Sequence, residues 1–129
     1  MILYLSREQL LAIHAAQLAR FGGAQGVPNM GALESALARP AMTFGGEDVY
    51  PDLAAKAAAL MHSIIMNHPF LDGNKRVGIM AAELFIELND ARLRADDDEL
   101  EEMTLAVARG ELDAERVAIW FRQRLEREP

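Results

Sequence analysis

Residues 52–89 read DLAAKAAALMHSIIMNHPFLDGNKRVGIMAAELFIELN, and the fold follows from two apolar stripes in this stretch and the polar break between them. From Asp52 to Asn67, Leu53, Ala57, Leu60, Met61, Ile64 and Ile65 recur at helical spacing, which predicts an amphipathic helix with one buried face. From Asn74 to Asn89, Val77, Met80, Ala81, Leu84, Phe85 and Leu88 repeat the pattern and predict a second. The alanines of the first helix, and Gly78 and Ala82 of the second, carry little side-chain bulk, so the two are expected to pack closely.

Outward from this pair the chain continues as helices. Ser6 and Gln9 form a capping-box pattern, and Leu10, Leu11, Ile13, His14, Leu18 and Phe21 then recur at helical spacing until Gly22 and Gly23. Ile2 to Leu5 alternate too briefly to build a sheet and give a small strand or an extended lead-in. After a loop of glycine and proline, Met30 to Arg39 predicts a short helix ended by Pro40, because the residue before proline avoids the α region. Residues 41–51 read as a connection. Within it Phe44 to Pro51, with Gly45, Gly46 and Tyr50, is a candidate flap or target-docking segment, the alternative being an inert link. Asp97, Asp98 and Glu99 suit a helix start and Gly110 a stop, and Asp113 caps a last helix carrying Val117, Trp120, Phe121 and Leu125. The methionines and Trp120 read as core. The expected fold is all-α, a compact bundle of about six helices around the two central ones.

The bulk numbers set limits. A chain of 129 residues is expected to form a single domain, residues 1–129, with a core of its own. Its 13 Lys and Arg against 20 Asp and Glu give a net charge of -7, which repels a phosphate backbone over the surface as a whole and argues against general nucleic-acid binding. There is no cysteine, so neither a disulfide framework nor a thiolate metal site is available. The start MILYLSREQL lacks the basic flank and apolar length of a signal peptide, and no later run has the apolar length of a membrane span. A soluble, cytoplasmic protein with no membrane association is expected.

The chemistry lies in the break, His68-Pro69-Phe70-Leu71-Asp72-Gly73-Asn74-Lys75-Arg76. Proline at 69 should push His68 out of helical geometry, to the mouth of the turn. Phe70 is the expected anchor, its ring buried between the helices. Gly73 lets the backbone approach a ligand, and the N–H groups that open the next helix carry partial positive charge. Lys75 and Arg76 add full charges at an end where cations oppose the helix dipole unless an anion balances them, and phosphate is the natural balance. Asp72, the one acid of the loop, can hold Mg²⁺ beside bound phosphates, since that ion takes one or two carboxylates together with phosphate oxygens.

This stretch resembles the signature of the Fic/Doc family, H-x-F-x-(D/N)-(G/A)-N-(K/G)-R. Lys75, where AMP-transferring members usually carry glycine, is similar to the Doc branch, the toxins of Phd/Doc toxin-antitoxin systems. Leu5 to Leu10 with His14, Arg20-Phe21-Gly22-Gly23, Leu33 to Leu37 before Arg39-Pro40, the Phe85 to Asn89 helix end, and Val107 to Gly110 with Trp120 also look like Doc-type sequence, so the resemblance spans nearly the whole chain. It implies a Fic/Doc-type helical bundle with the active-site loop between its two central helices. His68 would be the base that takes the acceptor hydroxyl's proton, and Asp72 would bind or place Mg²⁺. Gly73, Asn74, Lys75 and Arg76 would hold the triphosphate of ATP. In the Doc branch the implied reaction is transfer of the γ-phosphoryl group to a threonine of elongation factor Tu, which inhibits translation. The implied restraint is a cognate Phd-like antitoxin whose C-terminal segment folds into a groove beside the site. AMP-transferring members carry a second arginine three residues after the first. Here that place holds Ile79, which cannot grip a γ-phosphate, and phosphoryl transfer is favoured on that ground.

Each element also has a plainer reading. Asp72-Gly73-Asn74 alone is an ordinary turn, Lys75-Arg76 alone an ordinary solvated pair, and a lone histidine before proline an ordinary loop residue. His62 does not share a helical face with His68 and reads as a helix-surface or core-edge residue, and His14 as a partly buried packing residue. AMP transfer by the same loop, and a non-catalytic member that only binds a protein partner, are the competing functions.

Overall fold

The computed structural model describes residues 1–128. Among them six α-helices carry the fold: α1 (Arg7–Phe21), α2 (Met30–Ala38), α3 (Leu53–Asn67), α4 (Asn74–Leu88), α5 (Asp97–Ala108) and α6 (Ala114–Arg124). Their starts follow local chemistry. Ser6 and Gln9 close the capping box of α1, and Asp96 and Glu99 that of α5. Asn29, Asp52 and Asp113 each accept the N–H three residues on, capping α2, α3 and α6.

Helix α3 is the hub, packed against α2, α4, α5 and α6, and every residue from Leu53 to Met61 is buried. Its approach to α4 depends on Gly78, where an added Cβ would lie 2.7 Å from Cγ1 of Ile65. The small residues of the two stripes thus allow the close packing expected of them, and the all-α reading holds.

Several local readings are corrected. The second helix stops before Pro40, at Ala38 with Arg39 as its C-cap, but the chain then continues into a 3-10 turn, Arg39–Ala41, that accommodates Pro40 near its start. Residues 41–51 contain a hairpin of β1 (Thr43–Phe44) and β2 (Glu47–Asp48), which turns on Gly45 and Gly46, both at positive φ. Leu125 leaves the last helix to begin β4 (Leu125–Arg127), antiparallel to β3 (Ala91–Leu93). Such short strands have no periodicity to read. Of the methionines only Met61 and Met103 are buried; Met1, Met30, Met42, Met66 and Met80 are exposed, and Trp120 is half-buried with the Arg124 guanidinium over its ring.

The lead-in at Ile2–Leu5 stays extended, and a side chain takes the place of a partner strand. Asn89 accepts from the Leu3 N–H at 2.8 Å and donates to the Leu3 carbonyl at 2.9 Å. Lys56 is 2% exposed; its Nζ donates to the Pro40 carbonyl at 3.1 Å and pairs with Asp48 at 3.2 Å, so a buried amine ties the hairpin to α3. No helix among the described residues is long and apolar enough to cross a membrane.

Candidate active site

The loop between α3 and α4 has a shape imposed from three directions. At its start, His68 terminates α3 in the left-handed region, φ 48 and ψ 61, while its N–H still donates to Ile64. The helix therefore stops where the proline rule places the stop. A non-glycine residue held there costs roughly 1 kcal/mol, which the surrounding contacts must offset. Pro69 and Phe70 turn inward and are buried, and the imidazole of His68 lies on the exposed side.

The first constraint is internal. The side-chain amide of Asn74 accepts from the Phe70 N–H at 3.0 Å and donates to the Phe70 carbonyl at 2.9 Å, closing the loop on itself. Its oxygen and its nitrogen are thereby both engaged, and what Asn74 offers a ligand is chiefly its backbone N–H at the helix start.

The second constraint comes from α1. The His14 ring stacks on Phe70 with centroids 4.0 Å apart and planes 15° from parallel. Its Nε2 lies 3.1 Å from the Asp72 carbonyl oxygen; a carbonyl only accepts, so that nitrogen carries the proton and donates. His14 is 6% exposed and is more than the packing residue its sequence position implies, because it holds both the anchor ring and the backbone at the loop's acid.

The third is the glycine-containing segment after α1, which runs as a strap along the loop. Ala24 N–H donates to Asp72 Oδ2 at 3.4 Å, Leu71 N–H to the Gly26 carbonyl at 3.1 Å, and Asn29 N–H to the Pro69 carbonyl at 3.3 Å. A Cβ on Gly23, whose φ is 120, would lie 2.9 Å from Asp72 Oδ2, so the strap can run this close only as glycine.

The result is an electropositive mouth on an acidic protein. Helix α4 begins after Gly73, φ 84, with no side-chain cap, so its first N–H groups face outward. Lys75 and Arg76 are exposed on that first turn and form no ion pair with a carboxylate among the described residues. The Arg76 guanidinium lies instead over the Phe21 ring, 4.2 Å from its centroid. Asp72 is exposed, with Oδ1 accepting from Gly73 N–H at 2.9 Å. No group of three or more acidic or histidine side chains able to hold a metal ion occurs among the described residues. A single hard carboxylate beside an uncapped, cationic helix start is nonetheless a donor set that fits Mg²⁺ where a phosphate group brings the ion's other oxygens.

The residues singled out in the sequence, His68, Asp72, Gly73, Asn74, Lys75 and Arg76, therefore share one loop and one helix turn. Ile79 is half-buried against the core. Sequence reasoning missed His14 and the strap as parts of the site. Their only signal was a histidine on an otherwise apolar face and a run of glycines after α1.

A helical fold whose two central helices frame such a loop is a Fic-type domain. The chain belongs to the Fic/DOC family, whose family model matches residues 4–86, from the lead-in through the strap and the loop to Ile86 near the end of α4. Within it the chain is of the Doc type. It is similar to Toxin Doc of Mycolicibacterium smegmatis, 42% identical over 117 residues that cover 89% of this chain and 88% of that protein. It is also similar to Protein kinase doc of Escherichia phage P1, 31% identical over 120 residues covering 93% of this chain and 94% of that one.

Proposed function

We propose that this protein is a toxin of a toxin-antitoxin system that acts in the cytoplasm as a protein kinase, moving the γ-phosphoryl group of ATP to a threonine hydroxyl of a translation factor such as elongation factor Tu. The observation that carries the reading is an exposed histidine at an uncapped, doubly cationic helix start. Phosphoryl transfer needs charge stabilisation and alignment rather than elaborate covalent chemistry, and this mouth supplies both.

In this reading the first N–H groups of α4 with Lys75 and Arg76 hold the triphosphate and offset the charge that spreads over the moving phosphoryl oxygens. His68 accepts the proton of the attacking hydroxyl. Asp72, fixed by Gly73, Ala24 and the His14 bond to its carbonyl, would hold Mg²⁺. That ion, when bound with the nucleotide, neutralises phosphate charge. Ile79 stands where AMP-transferring members carry a second arginine, and its lack of charge favours γ-phosphoryl over AMP transfer. A Phd-like antitoxin would restrain the enzyme by laying a segment beside the loop. The exposed Phe44 at the hairpin tip suits contact with the target protein.

The test is incubation of purified protein with Mg²⁺, elongation factor Tu and ATP labelled at the γ- or the α-phosphate, with His68→Ala as control. Label from the γ-position on the factor, reduced at least about a hundredfold in the control, is expected. Transfer of α-label would make the protein an AMP transferase, and transfer of neither would leave a non-catalytic binder.

A further inference from the structure

Phe21 ends α1 as an exposed aromatic, 49% accessible, and contributes little to the core. Two guanidinium groups gather on it: that of Arg76 at 4.2 Å from the ring centroid and that of Arg20 at 5.1 Å. Neither arginine forms an ion pair with a carboxylate among the described residues, although the chain carries 20 acidic side chains. Arg7, Arg92, Arg94, Arg109, Arg122 and Arg124 each do pair with a carboxylate, while Arg39, Arg116 and Arg127 do not among the described residues; what sets Arg20 and Arg76 apart is that both lie against one ring. Two cations sharing one ring repel each other. An aromatic face offsets that in part, and an anion between them offsets it far better.

The ring is also placed where it matters. Gly22 and Gly23 follow it directly, and Gly23 is the point at which the strap touches the Asp72 carboxylate. Phe21 thus leads through its backbone into the strap that shapes the loop, and its ring meets a cation of the loop's helix.

We propose that Phe21 is a positioning residue that holds Arg76 toward the polyphosphate end of the nucleotide, and that Arg20 is a second phosphate-binding arginine of the same site. This rests on the phosphotransferase reading for its substrate, but the anion clamp itself is testable without catalysis. A guanidinium held over a ring is partly ordered before the ligand arrives. Phe21 then acts on nucleotide affinity, and it makes no contact with the reacting atoms.

The probe is inorganic tripolyphosphate with Mg²⁺, titrated calorimetrically into the whole protein, alongside the KM for ATP and kcat of γ-transfer. Phe21→Leu keeps bulk and removes the π-face; it should weaken tripolyphosphate binding roughly threefold and raise KM by a similar factor with kcat held. Phe21→Tyr should restore both. Arg20→Gln should weaken binding about tenfold. Arg109→Gln, which removes a charge already paired with Glu111, should leave affinity unchanged and separates site from net charge. Melting temperatures of the Phe21 variants should match the parent, because a merely structural ring would move stability and leave KM alone. Tripolyphosphate affinity that Phe21→Leu and Arg20→Gln leave at the parent value overturns the clamp. Binding that depends on both residues in a protein that transfers no γ-label upholds the clamp and sinks the kinase reading instead.

Discussion

Asn74 is the residue whose removal separates the loop's shape from its chemistry. Its amide satisfies both backbone groups of Phe70, whose ring is 1% exposed, so Asn74→Ala strands an N–H and a carbonyl at the edge of the core. Each lost bond costs about 1 kcal/mol net. Partial access of water to a half-buried site and the better helix propensity of alanine each return a few tenths, leaving about 1.5 kcal/mol. For a chain of this size that lowers the melting temperature by roughly 6 °C. The assay is thermal unfolding followed by helical circular dichroism, with hydrogen exchange at the Phe70 amide as the local readout. In Asn74→Ala that amide should lose protection while the amides in the middle of α3 keep theirs. Asn74→Asp preserves the acceptor for the Phe70 N–H and adds an acid in the first helical turn, where the dipole favours it by about 0.5 kcal/mol. Its carboxylate then faces the Phe70 carbonyl and the proposed phosphate site, so this variant should lose less stability and, on the kinase reading, more nucleotide affinity than the alanine variant. A melting temperature within 2 °C of the parent for Asn74→Ala, with Phe70 still protected, would falsify the idea that this amide shapes the loop.

Two further predictions concern pH. Burial, with the charges of Glu87 and Asp97 behind it, raises the pKa of Glu83 above its ordinary 4.5. A raised carboxyl contributes stability below the unfolded value that is lost as pH rises, so Glu83→Gln should raise the melting temperature at neutral pH by about 2 °C and lose that advantage in acid; a gain that persists unchanged in acid would point elsewhere. Asp52, the cap of α3, has its pKa held below the ordinary 3.8 first by the Arg122 side chain at 2.8 Å. Its contribution is present above 3.8 and lost as pH falls through the lowered value, so Arg122→Gln should cost about 0.5–1 kcal/mol at neutral pH and progressively less in acid. An acid-limb profile that superimposes on the parent's throughout would rule the pair out as a source of acid sensitivity.

What could be read from the chain followed from repetition and local rules. The α3 and α4 stripes, the Ser6 and Asp113 caps and the stop imposed by Pro69 each depend on residues within a turn or two of one another, and these stand in the structure except at Met80, which the α4 stripe included and which is exposed. The β-pairs at 43–48 and at 91–93 with 125–127 were invisible because two or three residues carry no period. Lys56 was invisible for another reason: a lysine enters a core only where a carbonyl and a carboxylate happen to meet it, and both partners lie in other elements. At the site, the candidate residues were legible as a cluster because they are contiguous. The division of labour among them was not. That Asn74 engages Phe70 with its side chain, and that His14 carries the Asp72 carbonyl, depends on where the chain folds back.

That folding back has a consequence for how the loop acquires its form. The bond from His14 to Asp72 bridges 58 residues of sequence, and that from Ala24 to the same acid 48. Local turns can form early, but contacts of such separation close only when α1 and its strap dock on the assembled α3–α4 pair. The residues from His68 to Arg76 are therefore an incomplete instruction. Grafted between another pair of helices, they would carry the same functional groups without the arrangement that aligns them. A substitution as distant in sequence and as modest as Gly23→Ala can disarm them with all nine residues unchanged, because its Cβ would press on the Asp72 carboxylate.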